Sequence, residues 1–227
     1  MVFAVATAPE RRGIQHAMSP AAAAAAFLQT GAGPLDAETI ACQLREMRAA
    51  GLVSIGTCGG LAPRMRTGAL ILPVRIVTAG GTELRVNSDW RNRVHAALES
   101  CCAVEGGPLL TTQRVLPDRA AKRDAHARTG AVGADMESAD LGAAAGRAGI
   151  PFLAMRVVLD PQGVSIPPSA TAGIDGNGDP TRLGLLRALC ARPGDLPDLV
   201  RLVRRFGAAG AALTFAGRRA RNALLAP

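Results

Sequence analysis

Tyrosine is absent, tryptophan occurs once, and aromatics make up only 3% of the 227 residues. The core must therefore be built from Ala, Val, Leu and Ile, and a surface that stacks nucleic-acid bases on rings is disfavoured. Lysine is nearly missing as well: of 26 basic residues only Lys122 is a lysine, against 18 acids and a formal charge of +8. An Ala-, Gly- and Arg-heavy composition also follows from a GC-rich genome, so charge alone defines no partner. No stretch approaches the roughly 20 continuous apolar residues of a membrane-crossing helix. The start, "MVFAVATAPERR", has neither the basic beginning nor the apolar length of a signal peptide. Five cysteines, Cys42, Cys58, Cys101, Cys102 and Cys190, form an odd set without framework or metal-ligand spacing. They fit a reducing cytosol, and a cytoplasmic protein is expected. His16, His95 and His126 sit apart, without the spacing of a metal site; neither a metal nor a cofactor is expected.

What the chain does contain is an alternation of short apolar runs with segments of helical period, bounded by Gly and Pro, which reads as one α/β domain over residues 1–227. Strands are expected at 2–7, 25–29, 52–56, 69–78, 108–112, 131–135 and 152–158. "LDAETIACQLREMRAAG" reads as a helix opened by Asp36 and closed by Gly51. "NSDWRNRVHAALESCC" reads as a second, capped by Ser88 or Asp89, with Trp90, Val94, Ala97 and Leu98 on one face. "MESADLGAAAGRAG" reads as a third, ending at Gly149. Residues 161–180, dense in Pro and Gly, are expected to form a long irregular loop of the kind that is either functional or disordered. From 195 to 225 the chain reads as an amphipathic helical segment, with Leu196, Leu199, Val200, Val203, Gly207, Gly210 and Leu213 on one stripe. Arg201, Arg204, Arg205, Arg218, Arg219 and Arg221 surround that stripe. Such a helix either packs on its own domain or meets an anionic lipid surface.

Two kinds of strand end stand out. "LVSIGTCGGLAPRMRTGALILP" runs an apolar strand into glycines 56, 59 and 60, which is expected to be a turn whose free N–H groups, with the Thr57 hydroxyl, cradle an anion. It lacks P-loop spacing, and a plain tight turn reads the same way. "TGAGP" at 30–34 is a second glycine turn. The other kind is acidic: Glu137 stands where an apolar run becomes a helix, and Asp160 where another run ends. In an open α/β sheet ligands bind outside the carboxyl ends of strands, so these four ends can converge on one crevice. Glu137 is otherwise a first-turn acid complementing the helix dipole, and Asp160 an acid opening a Pro-rich turn.

"SIGTCGGLAPRMRTGALILP", "GADMESADLGAAAGRAGIPFLAMRVVLD" and "TGAGPLDAET" resemble three signatures of the nucleoside phosphorylase and methylthioadenosine nucleosidase superfamily. The tail from "DPQGVSIPPSATAG" onward is similar to the hopanoid-associated phosphorylases, a branch thought to remove adenine from adenosylhopane. The resemblance implies a three-layer α/β/α fold with a mixed central sheet and the cleavage of a purine N-glycosidic bond. It makes Met136 an apolar floor for the ribose and Glu137 the acceptor of its hydroxyl hydrogen bonds. Asp160 becomes the acid at purine N7. Thr57 and Gly59, with Gly31 and Gly33, fall by the phosphate or the nucleophilic water, and Val115 and the backbone of Leu116 at the base. Cys58 reads as a small filler. Inorganic phosphate is the expected co-substrate, a hydrolytic nucleosidase the rival, because the arginine that some purine phosphorylases carry before the glycine-rich loop is Ser54 here. The superfamily's acidic position near the first strand falls among Glu10, Arg11 and Arg12, and Arg11 or Arg12 offers either phosphate charge or a solvated surface. The resemblance further implies a homo-oligomer, and an apolar-tailed substrate implies peripheral contact at the inner membrane face. A non-catalytic lipid- or nucleic-acid-binding protein is the reading from a different class; the missing aromatics and the two positioned acids stand against it, and no nucleic-acid partner is expected.

Overall fold

The computed structural model describes residues 1–167 and 193–227. The loop expected at 161–180 lies outside the described residues beyond Pro167, as does Cys190. Among the described residues ten strands form one mixed sheet: β1 Val2–Val5, β2 Ala26–Gln29, β3 Leu52–Gly60, β4 Leu70–Ile71, β5 Arg75–Thr78, β6 Glu83–Arg85, β7 Val104–Glu105, β8 Leu109–Thr111, β9 Gly133–Asp135 and β10 Phe152–Asp160. The main path runs β6-β5-β8-β9-β3-β10-β4-β7, with β1 lying between β2 and β3.

The long central pair, β3 and β10, runs parallel and is buried on both faces, and alternation splits its side chains between two cores. Leu52, Cys58, Phe152, Ala154 and Val158 point to one core. Val53, Ile55, Leu153, Met155 and Val157 point to the other. Helices α2 Ala37–Glu46 and α5 Ser138–Ala148 cover the first face through Ile40, Leu44, Leu141 and Ala145. The second face is covered by α1 Ala8–Met18, α3 Ser88–Glu99 and the C-terminal pair α6 Leu196–Arg219 and α7 Arg221–Leu224. Trp90, the one tryptophan, is fully buried there and donates from Nε1 to the Ala223 carbonyl at 2.8 Å. Helix α4 Arg119–Thr129 packs Ala125 on a small third cluster with Leu110 and Ala134. This is the expected three-layer α/β arrangement with a mixed sheet.

Several expectations are corrected. Residues 56–60 form no turn: β3 continues through them, and Gly59 and Gly60 pair with β9. The glycines are needed for close approach. A Cβ at Gly56 would lie 2.9 Å from Glu10 Oε1, and one at Gly60 would lie 3.0 Å from Val158 Cγ1. The run 69–78 is two strands, β4 and β5, separated by Pro73, which offers no N–H to a ladder. Helix α2 ends at Glu46, not at Gly51, because Arg48 turns to a φ of 48°. The cap of α3 is Asn87, whose side chain accepts from the Trp90 N–H. The stripe on α6 is rotated from the expected one: Leu199, Leu202, Ala209, Leu213 and Ala216 are buried, whereas Leu196, Val200 and Val203 are exposed, Val203 at 67%. Helices α1 and α4 and strands β6 and β7 carried no sequence expectation.

Candidate active site

Strand β3 is flanked on one edge by two strands that run toward each other. Parallel β1 pairs with it over Leu52–Ser54, and antiparallel β9 pairs at Gly59 and Gly60. Between them, at residues 55–58, that edge of β3 has no strand partner, and the chain segments leaving β1, β9 and β2 deliver side chains there. Thr57 and Gly59 are half-buried and share one strand face; Cys58 between them points into the core. Burial pushes the Cys58 thiol far up, which agrees with a filler and not a nucleophile.

Glu10 is the residue that sequence reasoning left unassigned. Thr7 caps α1, and Glu10, three residues on, closes a capping box: its Oε2 accepts from Thr7 N at 3.1 Å and Thr7 Oγ1 at 3.0 Å. Its Oε1 crosses to β3, accepting from Thr57 N at 2.7 Å and Thr57 Oγ1 at 2.8 Å. The Thr57 N–H is available because neither flanking strand reaches it. The signal in the sequence was the spacing Thr7-x-x-Glu10 with Pro9 in the first turn. Arg12, by contrast, is exposed, and Arg11 only half-buried.

Glu137 follows β9 and is buried. Its Oε1 accepts from the Gly33 N–H at 3.0 Å. Asp140, one turn further along α5, accepts from Leu35 N at 2.9 Å, so two carboxylates fasten the loop that carries Gly31 and Gly33. Both glycines have positive φ, 76° and 128°, a conformation that costs a residue with a Cβ roughly 1 kcal/mol or more. A Cβ at Gly33 would come within 4.0 Å of Met136 Cε, which places Met136 beside the loop as well. Burial first, and then the Asp135 charge, push the Glu137 carboxyl up to about 7; Arg156 and the Gly33 N–H pull the other way.

Beneath these lies a buried polar network that sequence reasoning missed. Arg156 of β10 donates from Nε to Asp135 Oδ2 at 2.9 Å and from Nη2 to Ser54 Oγ at 2.6 Å and Ser138 Oγ at 3.0 Å. Thr111 Oγ1 donates to Asp135 Oδ1 at 2.8 Å. Ser54 thus hydrogen-bonds an arginine supplied by the neighbouring strand. The ion pair is fully buried and hydrogen-bonded throughout, the condition under which such a pair is tolerated. It fixes the strand ends that present Met136 and Glu137.

Asp160 is the last residue of β10, 4% exposed, opposite Gly59 across a register shift after Val158. Such a bulge re-aims a side chain; a Cβ on Gly59 would lie 3.6 Å from Asp160 Oδ2 and 3.7 Å from Oδ1. Burial raises the carboxyl from its ordinary value, opposed by the ammonium of Lys122, which donates to Oδ2 at 2.5 Å. Thr57, Gly59, Glu10, Glu137, Met136, Gly31, Gly33 and Asp160 therefore lie along β3 and its two edges. Of the residues expected at the base, Val115 is exposed and Leu116 leans on the cluster of Leu61 and Leu110. His16 is exposed, His95 pairs with Glu99 at 3.3 Å, and His126 Nδ1 is 2.8 Å from the Ala131 carbonyl oxygen.

The fold is similar to that of several solved enzymes. The 5′-methylthioadenosine/S-adenosylhomocysteine nucleosidase of Neisseria meningitidis, in complex with methylthio-immucillin-A, superposes with a TM-score of 0.68 at 15% identity, covering 96% of each chain. The Helicobacter pylori nucleosidase of the same description, with butyl-thio-DADMe-Immucillin-A, gives 0.64 at 10% identity over 98% of this chain and 94% of that one. Futalosine hydrolase of Helicobacter pylori gives 0.61 at 10% identity over 70% and 86%. No curated protein sequence matches the chain. A family model, that of the phosphorylase superfamily, matches residues 21–175, which span the glycine loop, β3, the Met136–Glu137 pair and Asp160. By that match the chain belongs to the phosphorylase superfamily.

Proposed function

We propose that the protein hydrolyses the N-glycosidic bond of a purine riboside. Asp160 gives its proton to N7 as the C1′–N9 bond breaks and the bonding pair passes to the purine. Met136 floors the ribose and Glu137 accepts from its hydroxyls, which favours the cationic sugar that develops. A water beside Glu10 and Thr57 adds to C1′ and leaves its proton on Glu10. The purine and the free sugar are the products.

The observation that carries this reading is the Glu10 carboxylate, buried and held by both donors of Thr57. A carboxylate at the nucleophile position accepts a proton from water but repels a phosphate dianion. Phosphate as co-substrate, the expectation from sequence, is thereby the less favoured acceptor. The nucleosidases and the futalosine hydrolase among the similar structures support the same choice. Purine release from methylthioadenosine, adenosine and inosine, followed by ultraviolet absorbance with and without phosphate, tests it.

A second reading concerns the rest of the substrate. The exposed Leu196, Val200, Val203 and Phe206 of α6 stand among Arg201, Arg204 and Arg205, and the field of Arg205 reaches Asp160. A helix that carries exposed apolar residues and arginines, one of which acts on the acid, favours a nucleoside with a membrane-embedded tail, such as adenosylhopane, met at the bilayer surface.

A further inference from the structure

The one lysine of the chain is 1% exposed. Lys122 lies one turn into α4, and its Nζ contacts Asp160 Oδ2 at 2.5 Å, the Val164 carbonyl at 2.7 Å, the Pro161 carbonyl at 3.3 Å and the Asp160 carbonyl at 3.4 Å. Three hydrogens are shared among four oxygens at one strand end. A compact ammonium suits this space better than a planar guanidinium, which accounts for a lysine in a chain that otherwise uses arginine. A buried lysine is expensive unless paired, and every oxygen that pairs it belongs to Asp160 or to the turn that follows.

We infer that Lys122 is a positioning residue that works with Asp160 as one unit in leaving-group departure. The inference rests on the reading of Asp160 as the acid at N7. Engaging Oδ2 leaves Oδ1 for the base; a Cβ at Gly59 would meet the two oxygens at 3.6 and 3.7 Å, so the carboxyl as a whole lies beside that residue. When the proton passes from Asp160 to N7, with the C1′–N9 pair going to the purine, a carboxylate remains in a buried place. The Lys122 ammonium neutralises that charge, so the proton is released more readily than from an isolated buried carboxyl. Solvent reprotonates the carboxylate after the purine leaves. Besides Lys122, the field of Arg205 of α6 reaches Asp160, and the Asp160 charge in turn raises the neighbouring Cys58 thiol of β3.

Turnover of a purine riboside and of 4-nitrophenyl β-D-riboside, whose leaving group departs unprotonated, tests this in Lys122→Met, Asp160→Asn and the double variant. Wild-type enzyme that releases neither leaving group defeats the hydrolase reading itself. With that reading intact, Lys122→Met should lose roughly 10²- to 10³-fold on the purine riboside and less than about threefold on the nitrophenyl riboside. Its alkaline limb on the purine riboside should move to higher pH, because Asp160 holds its proton longer without the ammonium. In the Asp160→Asn background Lys122→Met should cost little more; the double variant removes both charges together and keeps the test open where the single variant does not fold. Equal losses on both substrates, an unmoved pH limb, or additive losses in the double variant would overturn the inference and leave Lys122 as a brace for the turn.

Discussion

Thr57 donates twice to one oxygen of Glu10, from its backbone N at 2.7 Å and from its hydroxyl at 2.8 Å. The contact joins the start of α1 to the stretch of β3 that β1 and β9 leave uncovered on one edge. It exists only because residue 56 is a glycine, whose missing Cβ leaves room for the carboxylate. Glu10→Gln keeps the shape and removes the base. Hydrolysis should fall by roughly 10²- to 10⁴-fold, the range of a general base, with the melting temperature little changed. Gly56→Ala should displace Glu10 and lower turnover similarly; a fully active Gly56→Ala enzyme would separate Glu10 from catalysis.

Asp160→Asn should reduce purine release by roughly two to four orders of magnitude in a protein that still folds. The substitution also leaves Lys122 facing a neutral amide, so a lower melting temperature is expected alongside the loss. Steady-state kinetics beside a thermal melt separates the two effects. Near-normal turnover in the folded variant would remove Asp160 from the role of acid.

Glu137 makes a pH prediction. Its carboxyl is raised from 4.5 to about 7, chiefly by burial, so the folded state holds the proton more tightly than the unfolded chain. Stability from this group is complete below pH 4.5 and is lost as pH rises through about 7. Glu137→Gln should therefore match wild type in unfolding free energy near pH 4.5 and exceed it at pH 8, by up to about 3 kcal/mol. The same variant should penalise ribosides more than 2′-deoxyribosides if the 2′-hydroxyl is its partner. Equal losses for the two sugars would take that hydrogen bond away.

The exposed edge of α6 predicts salt-sensitive attachment to anionic vesicles. Each arginine near such a surface contributes about 1 kcal/mol, so sedimentation with phosphatidylglycerol vesicles should exceed that with phosphatidylcholine and fall at high salt. Arg201→Gln with Arg204→Gln should weaken it, as should Val203→Ser. Binding indifferent to lipid charge and to these changes would assign the edge to another role. Among the described residues no helix is long and apolar enough to cross a membrane.

Much of this was legible locally. The existence of strands β3 and β10, the Asp36 cap of α2, the Trp90 face of α3 and the Gly149 end of α5 all follow from apolar period and punctuation, whereas the parallel pairing of β3 with β10 does not. What misled were the glycines at 56–60, which signal a turn by composition yet serve close packing inside a strand. Helix α4 was hidden because "RAAKRDAHART" buries only Lys122 and Ala125, leaving no apolar stripe to read. The stripe of α6 is rotated from the expected one because Leu and Val also stand beside the buried face, and only packing on α1 and the sheet decides between the two. At the site, Asp160 and Glu137 could be found as acids at strand ends. Glu10 shows locally only as the capping box Thr7-x-x-Glu10; its link to Thr57, like those of Arg156, Asp135 and Lys122, runs to partners as far as 102 residues away, which no local pattern announces.

The most direct test of the whole account follows the acceptor atom. Purine riboside is turned over in ¹⁸O-enriched water, with and without phosphate, and the sugar product is weighed by mass spectrometry. The account predicts free ribose carrying ¹⁸O at C1, formed at the same rate in both conditions and abolished by Glu10→Gln. Ribose 1-phosphate as the product, appearing only when phosphate is supplied, would contradict it.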